Sequence, residues 1–219
     1  MKNKNRIWIY HIFITGLFVI IISSCNKTGS FQSTKIGTQT WMKKNLNVDH
    51  FRNGDPISEV TNPSDWFNLT TGAWCYYENS TETGKIYGKL YNWYAVNDPR
   101  GLAPKGWHVA SYKDWTILID YVGGKNVAGG SLKEKGTNNW FGKNTNSKNK
   151  FGFTALPGGI WEFPGTFRHK GLGGYWWSST SYSTEYDYAM YQGIFWNTSE
   201  MDGNNHSMST GMSVRCVKD

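Results

Sequence analysis

Side chains that could perform covalent catalysis are few and widely separated in this chain. The nucleophile signature Gly-x-Ser-x-Gly is absent, and Cys75 and Cys216 lie in apolar, strand-like runs without a neighbouring base. His108 stands between Trp107 and Val109, a setting more typical of a hydrogen-bonded structural histidine than of a general base. We therefore expect the protein not to be an enzyme.

Side chains that could bind a metal are equally sparse. His50, His169 and His206 fall in polar segments, without the His-x-His or His-x-x-x-His spacing that is typical of zinc sites. Glu200 and Asp202 could supply oxygen ligands for calcium, although a solvated polar loop explains them equally well. We expect no cofactor, with calcium as an open alternative.

Aromatic rings are the most abundant candidates for ligand contacts. The sequence contains 12 Trp, 13 Tyr and 11 Phe, and aromatic faces can stack on sugar rings while Asn and Asp bind the hydroxyl groups. The rings in or beside predicted loops are Trp161, Phe163, Phe167, Tyr182, Tyr186 and Trp196, and we select Trp161, Tyr186 and Trp196 as candidate ligand contacts. The alternative is that most of these rings form the core, because aliphatic residues are comparatively few.

Residues 1–24 are predicted to be a lipoprotein signal peptide. A basic start is followed by a mostly apolar run that ends in Ile22-Ser23-Ser24-Cys25. This ending resembles the lipobox of bacterial lipoproteins, in which the cysteine becomes the lipidated first residue. An uncleaved anchor is the alternative, but the apolar run is short for a membrane span. In lipoproteins of this type, an aspartate directly after the cysteine often signals retention in the inner membrane. Asn26 stands at that position, which favours the outer membrane.

The mature chain is expected to be a polar tether, residues 25–34, followed by one domain, residues 35–219. The full chain has a formal net charge of +7, and loss of Lys2, Lys4 and Arg6 with the signal leaves it mildly basic. The remaining charges are scattered singly, so nucleic-acid binding has little support. We expect a lipid anchor in the outer membrane, on its periplasmic face or at the cell surface.

Cys75 and Cys216 are the cysteines that remain once Cys25 is assigned to lipid. An exported protein can join two such residues in a disulfide. Two buried free thiols are the alternative.

The clearest secondary-structure signal is a helix that begins at Ser111. Ser111 and Asp114 form a capping box, after which Trp115, Leu118, Tyr121 and Val122 line one helix face, and two glycines end it. A second, weaker helix is predicted over 126–135. Strands are predicted within 35–48, 73–77, 107–109, 151–160, 173–179, 186–195 and 213–217, and 87–96 is compatible with strand or helix. Long loops are expected over 49–71, 138–150 and 197–210.

Several motifs coincide in order and spacing with one known family. They include Ile36-Gly37, Trp41-Met42, Trp74-Cys75-Tyr76-Tyr77, Gly106-Trp107-His108-Val109, Leu156-Pro157-Gly158-Gly159, Trp176-Trp177-Ser178-Ser179 and Val214-Arg215-Cys216-Val217. Over residues 35–219 the chain resembles the Fibrobacter succinogenes major paralogous domain. The resemblance implies an exported, often lipid-anchored bacterial protein and no known activity. Ala110 replaces a usual proline, and Ala103 replaces a cysteine of some members, which puts any particular disulfide in doubt.

The end of the chain also resembles the C-type-lectin-like and sulfatase-modifying-factor group of folds. That resemblance implies an α+β domain with two helices packed on a small twisted antiparallel sheet and long loops. Sulfatase-modifying enzymes use reactive cysteines, and no matching pair is visible here, so this activity is only a minor alternative.

The function expected from these observations is a lipid-anchored binding or adhesion module of the cell envelope, possibly for carbohydrate. The alternative is a structural or assembly protein of the outer membrane that binds other proteins. A binding module predicts exposed aromatic rings clustered on one face, whereas an assembly protein predicts buried rings with an exposed apolar patch or sheet edge.

Overall fold

The computed structural model describes residues 31–183 and 185–219, which form an α+β domain. Its strands are β1 (Ser33–Ile36), β2 (Gln39–Met42), β3 (Ser58–Glu59), β4 (Ala73–Cys75), β5 (Leu90–Tyr91), β6 (Trp107–Val109), β7 (Ile160–Glu162), β8 (Thr166–Arg168), β9 (Gly173–Ser183), β10 (Tyr188–Phe195), β11 (Met201–Ser207) and β12 (Cys216–Lys218). Its helices are α1 (Pro63–Phe67), α2 (Thr81–Tyr87), α3 (Trp93–Val96), α4 (Tyr112–Tyr121) and α5 (Lys125–Leu132).

The strands form several small sheets, in which antiparallel pairing predominates. One sheet has the order β1-β2-β12-β6, so the first hairpin of the domain pairs with its last strand. The others have the orders β11-β10-β9, β3-β4-β5 and β7-β8, and β3 runs parallel to β4. Since β12 pairs with β2 on one side and with β6 on the other, the two ends of the domain are held together.

The β9-β10-β11 sheet separates two parts of the core. On one face, Trp176, Ile194 and Met201 join Trp115 and Leu118 of α4 in an apolar cluster. On the opposite face, Tyr175 and Trp177 belong to a second cluster, because successive side chains of a strand point to opposite faces. The polar segment 197–210 was expected to be a loop, but it contains β11. Its polar side chains are tolerated because this strand lies at the edge of the sheet.

Helix α4 confirms the capping box predicted from the sequence. The Ser111 hydroxyl accepts the Asp114 N–H at 3.2 Å, and the Asp114 carboxylate accepts the Ser111 N–H at 2.9 Å. Burial raises the pKa of Asp114, but the bonds from Ser111 and the nearby His108 outweigh it and hold the pKa below its ordinary value. Trp115 and Leu118 are buried as expected, whereas Tyr121 lies at the edge of the face, where its ring covers Gly37.

Other segments agree with the sequence prediction only in part. The hairpin within 35–48 and the second helix are present, with α5 ending at Leu132. The strand predicted over 151–160 is wrong, because this segment is irregular until β7 begins at Ile160. The loop predicted over 49–71 contains α1, for which Asn62 is the N-cap and Pro63 the first residue.

A buried polar network joins distant parts of the chain beside β2. The side-chain Oδ1 of Asn45 accepts from the Trp176 indole at 2.8 Å and from the Arg215 guanidinium at 3.1 Å. Its side-chain Nδ2 donates to the Tyr87 carbonyl at 2.8 Å and to the Ser213 hydroxyl at 3.2 Å. The buried side chain of Asn45 therefore links four segments of the domain, its own and those that contain Tyr87, Trp176 and Ser213–Arg215.

We expect Asn45→Ala to lower the free energy of unfolding by about 2–4 kcal/mol, because it leaves buried donors, one of them charged, without their acceptor. Urea denaturation monitored by tryptophan fluorescence measures this loss as a lower midpoint. Asn47 is exposed and only two residues away. Asn47→Ala is the matched control and should change stability by no more than about 0.5 kcal/mol. Equal effects of the two substitutions would contradict the importance of the network.

Candidate functional site

Trp161 is the centre of a layered aromatic cluster and not a surface ring. It is fully buried in β7, where the Trp66 ring lies 4.8 Å away and the ring of Phe167 is stacked at 4.9 Å. Phe67 meets it edge-on at 5.6 Å. The structure thus corrects the expectation that Trp161 lies on a loop surface, because its ring packs among these three buried or partly buried rings.

The β7-β8 hairpin carries Phe163 in its turn, next to Phe67. The register pairs Trp161 with Phe167 and Glu162 with Thr166, so the turn between the strands carries Phe163 and Pro164. Gly165 completes the turn with a φ of +125°, and a Cβ there would lie 2.5 Å from Pro63, so only glycine allows this approach. The Phe163 ring is 75% exposed and meets Phe67 edge-on at 5.8 Å.

Helix α1 supplies the polar side of the same surface. The side-chain Oδ1 of Asn62 accepts the Ser64 N–H at 2.9 Å and the Asp65 N–H at 3.3 Å, which fixes the start of the helix. The Asn68 amide donates to the Ser64 carbonyl at 2.8 Å and fixes its end. Both amides are therefore held in place by the helix that they cap.

Together these elements enclose an open cleft of about 510 Å³, which we call the Phe163 cleft. Its lining residues are Asn62, Pro63, Ser64, Phe67, Asn68, Phe163 and Pro164. The volume is within the range of small-molecule sites, and the lining combines two aromatic rings with amide and hydroxyl groups and includes no charged side chain. This chemistry suits a neutral, hydroxyl-rich ligand.

The sequence predicts only part of this cleft. Asn62-Pro63 is predicted to be a turn or breaker within a long loop, which leaves Phe67 and Asn68 outside the predicted site. The signal was present, because Asn followed by Pro, with Asp65 in the first turn, is also a typical helix start.

The structure places the other candidate aromatic residues elsewhere. Tyr186 is 67% exposed and lies between β9 and β10. Trp196 follows β10, is half-buried, and meets the exposed Phe141 edge-on at 6.1 Å. None of the three selected residues lines the Phe163 cleft, although Trp161 contacts one of its lining rings, that of Phe67.

The carboxylates considered for calcium lie at the start of β11. Asp202 pairs with Lys125 at 2.7 Å, and Glu200 is exposed. In residues 31–183 and 185–219, no group of three or more His, Cys, Asp or Glu side chains is arranged to hold a metal ion.

His108 links the helix start to the end of the chain. Its Nδ1 lies 2.8 Å from a carboxylate oxygen of Asp219, and its Nε2 lies 3.3 Å from Asp114. Both ring nitrogens thus face carboxylates within the fold, as expected of a structural histidine.

Cys75 and Cys216 are both free thiols in the structure and both are fully buried. They belong to different apolar clusters, so the bridge considered from the sequence is not formed and the alternative of two buried thiols describes them. Burial raises the pKa of each thiol, which suppresses the reactive thiolate. Cys25, the proposed lipidation site, lies outside the described residues.

Comparison with known proteins identifies the family of this chain. The model of the Fibrobacter succinogenes major domain matches residues 34–218, and the chain belongs to that family. A search of curated proteins and a search of solved structures each gave no match. No helix in the described part of the chain is long and apolar enough to cross a membrane.

We expect Cys75 and Cys216 to be unreactive towards Ellman's reagent in the folded protein and to react after unfolding in urea without reductant. The number of reactive thiols per chain should rise by two, because unfolding exposes both side chains. A disulfide between them would abolish that rise and would contradict the structure.

Proposed function

We propose that the protein is a lipid-anchored binding module of the cell envelope, without catalytic activity, and that it binds carbohydrate in the Phe163 cleft. The observation that carries the proposal is the 75% exposed Phe163 ring beside the amides of Asn62 and Asn68. An exposed ring stacks on the apolar face of a sugar, and amides bind its hydroxyl groups. A primary amide has two N–H groups and two lone pairs, so each of these side chains has hydrogen-bonding capacity beyond its contact with α1.

Preorganisation of the cleft supports the same proposal. Phe163 contacts Phe67, and Phe67 contacts the buried Trp161, whose ring also contacts those of Trp66 and Phe167. Side chains fixed before binding lose little conformational entropy when the ligand arrives. This favours recognition of a weakly binding, hydrated ligand such as a sugar.

The proposed location is the outer membrane, on its periplasmic face or at the cell surface. The proposal rests on the sequence ending Ile22-Ser23-Ser24-Cys25 and on Asn26 after it. The lipid on Cys25 would hold the domain at the membrane.

We also propose a C-type-lectin-like fold relation. Pairing of both ends of the domain in one sheet, and helices α4 and α5 against the β9-β10-β11 sheet, support it. The related sulfatase-modifying chemistry needs reactive cysteines, and the burial of Cys75 and Cys216 favours binding over that chemistry.

Assembly with another envelope protein is the second candidate function. Tyr182 and Tyr186 are 63% and 67% exposed near the end of β9, and aromatic residues are enriched in protein interfaces. This alternative predicts that these rings, and not Phe163, carry the interaction.

The test is a glycan array, followed by calorimetry with any glycan that binds, on the full chain in detergent and in the presence and absence of calcium. Phe163→Ala should weaken binding by roughly 10- to 100-fold, which corresponds to the burial of one aromatic side chain. Phe141→Ala is the matched control, because Phe141 is a 66% exposed phenylalanine beside Trp196.

The outcomes separate the candidates. Loss of binding in Phe141→Ala alone would transfer the site to the Trp196 surface, and calcium dependence would transfer it towards Glu200 and Asp202. Absence of binding to every glycan by a folded sample would contradict the proposal and favour assembly with a protein partner.

A further inference from the structure

We infer that the ligand is a neutral, extended oligosaccharide that spans the Phe163 cleft and a second cleft beside it. The inference rests on the proposed function and makes it more specific. The second cleft has a volume of about 250 Å³, and its lining includes Thr70, Thr71, Tyr94, Asn97, Asp98 and Arg100. We call it the Tyr94 cleft.

The two clefts are separated by one short stretch of chain. Asn68 lines the Phe163 cleft and Thr70 lines the Tyr94 cleft, and two residues span at most about 7 Å. Asn68, Thr70 and Thr71 are exposed on this stretch, where their amide and hydroxyl groups can bind the hydroxyls of a sugar chain. We call the stretch Asn68–Thr71 the ridge between the two clefts. Two clefts this close together match successive units of one polymer.

The ridge is anchored at both ends, so the spacing of the clefts is fixed. Before it, Trp66 is fully buried and its indole donates to the Ser209 carbonyl at 2.6 Å. After it, the Asn92 amide donates to the Thr71 carbonyl at 2.8 Å and accepts the Ala73 N–H at 2.9 Å. A polymer that fills both clefts would therefore meet a preformed surface.

The charges in the Tyr94 cleft favour a neutral ligand. Arg100 donates to Asp98 at 2.9 and 2.8 Å and to Asp55 at 3.2 Å, and its guanidinium also lies 4.1 Å from the centre of the Phe51 ring. One cation is shared by two carboxylates, of which only Asp98 lines the cleft, so Arg100 is already paired within the fold. Neither cleft therefore offers a sugar acid an unpaired cation among its lining residues.

Tyr94 supplies the second aromatic surface. Its ring is half-buried beside the cleft, and burial raises the pKa of its hydroxyl, so the phenol stays neutral and can donate a hydrogen bond. Each cleft thus combines aromatic rings with amide or hydroxyl groups.

The experiment measures affinity against ligand length by calorimetry on the full chain in detergent. The probes are gluco-, manno- and galacto-oligosaccharides of one to six units and galacturonic acid oligomers of the same lengths. The affinity for a neutral series should rise with length and then level off once both clefts are filled. Tyr94→Ala should weaken binding of the longest neutral oligomer by about tenfold and leave the shortest unchanged.

Two further variants keep the test decisive. Asn97 is exposed, so Asn97→Ala can replace Tyr94→Ala if the latter fails to fold, and Tyr182→Ala is the control for loss of a tyrosine elsewhere. Equal affinity at every length, with binding still lost in Phe163→Ala, would overturn the inference while leaving the proposed function intact. Tighter binding of the galacturonic acid series would overturn the neutral ligand, and absence of binding to every probe would overturn both.

Discussion

The fold depends on a buried arginine that has no carboxylate partner in the described structure. The Arg215 guanidinium donates to the carbonyls of Met42, Phe153 and Thr154 and to the Asn45 amide oxygen. Burial lowers its pKa, so the charge is retained at a cost that these acceptors offset. A guanidinium carries five N–H donors in a rigid fork, which allows it to satisfy carbonyls from segments that no strand pairing brings together. For this reason two carbonyls of the irregular segment before β7, those of Phe153 and Thr154, have hydrogen-bond donors although no strand pairs with them.

Several tryptophans extend the same solution to other parts of the core. The indole N–H groups of Trp66, Trp74, Trp93, Trp140 and Trp177 each donate to a backbone carbonyl outside their own strand or helix. An indole therefore provides apolar packing and one hydrogen bond at once, which suits a domain with short strands and long connections. The buried indoles thus bind the backbone of the connections directly, and this fixes the positions of residues that line the surface clefts.

The sequence predicts those parts of the structure whose causes are local. The capping box and periodic face of α4 lie within one segment, and so do the turn and alternation of the β1-β2 hairpin. It does not predict the backbone of 151–160, because bonds from Arg215 determine that conformation. The Phe163 cleft is only partly visible in the sequence. Phe163 stands among the rings beside predicted loops, but its place next to Phe67 depends on the β7-β8 register, and the polar side depends on Asn62-Pro63, a pattern that fits a turn or a helix start.

In the proposed binding module, folding and recognition use different residues. The buried indoles and the Asn45–Arg215 network are coupled across the chain, so a change at one of them disturbs several segments. Phe163, Asn68 and Thr70 are exposed on a hairpin turn, at a helix end and in the connection that follows it. Side chains in such positions can change without opening a cavity in the core. Under the proposed function, ligand preference can therefore vary while the scaffold stays constant.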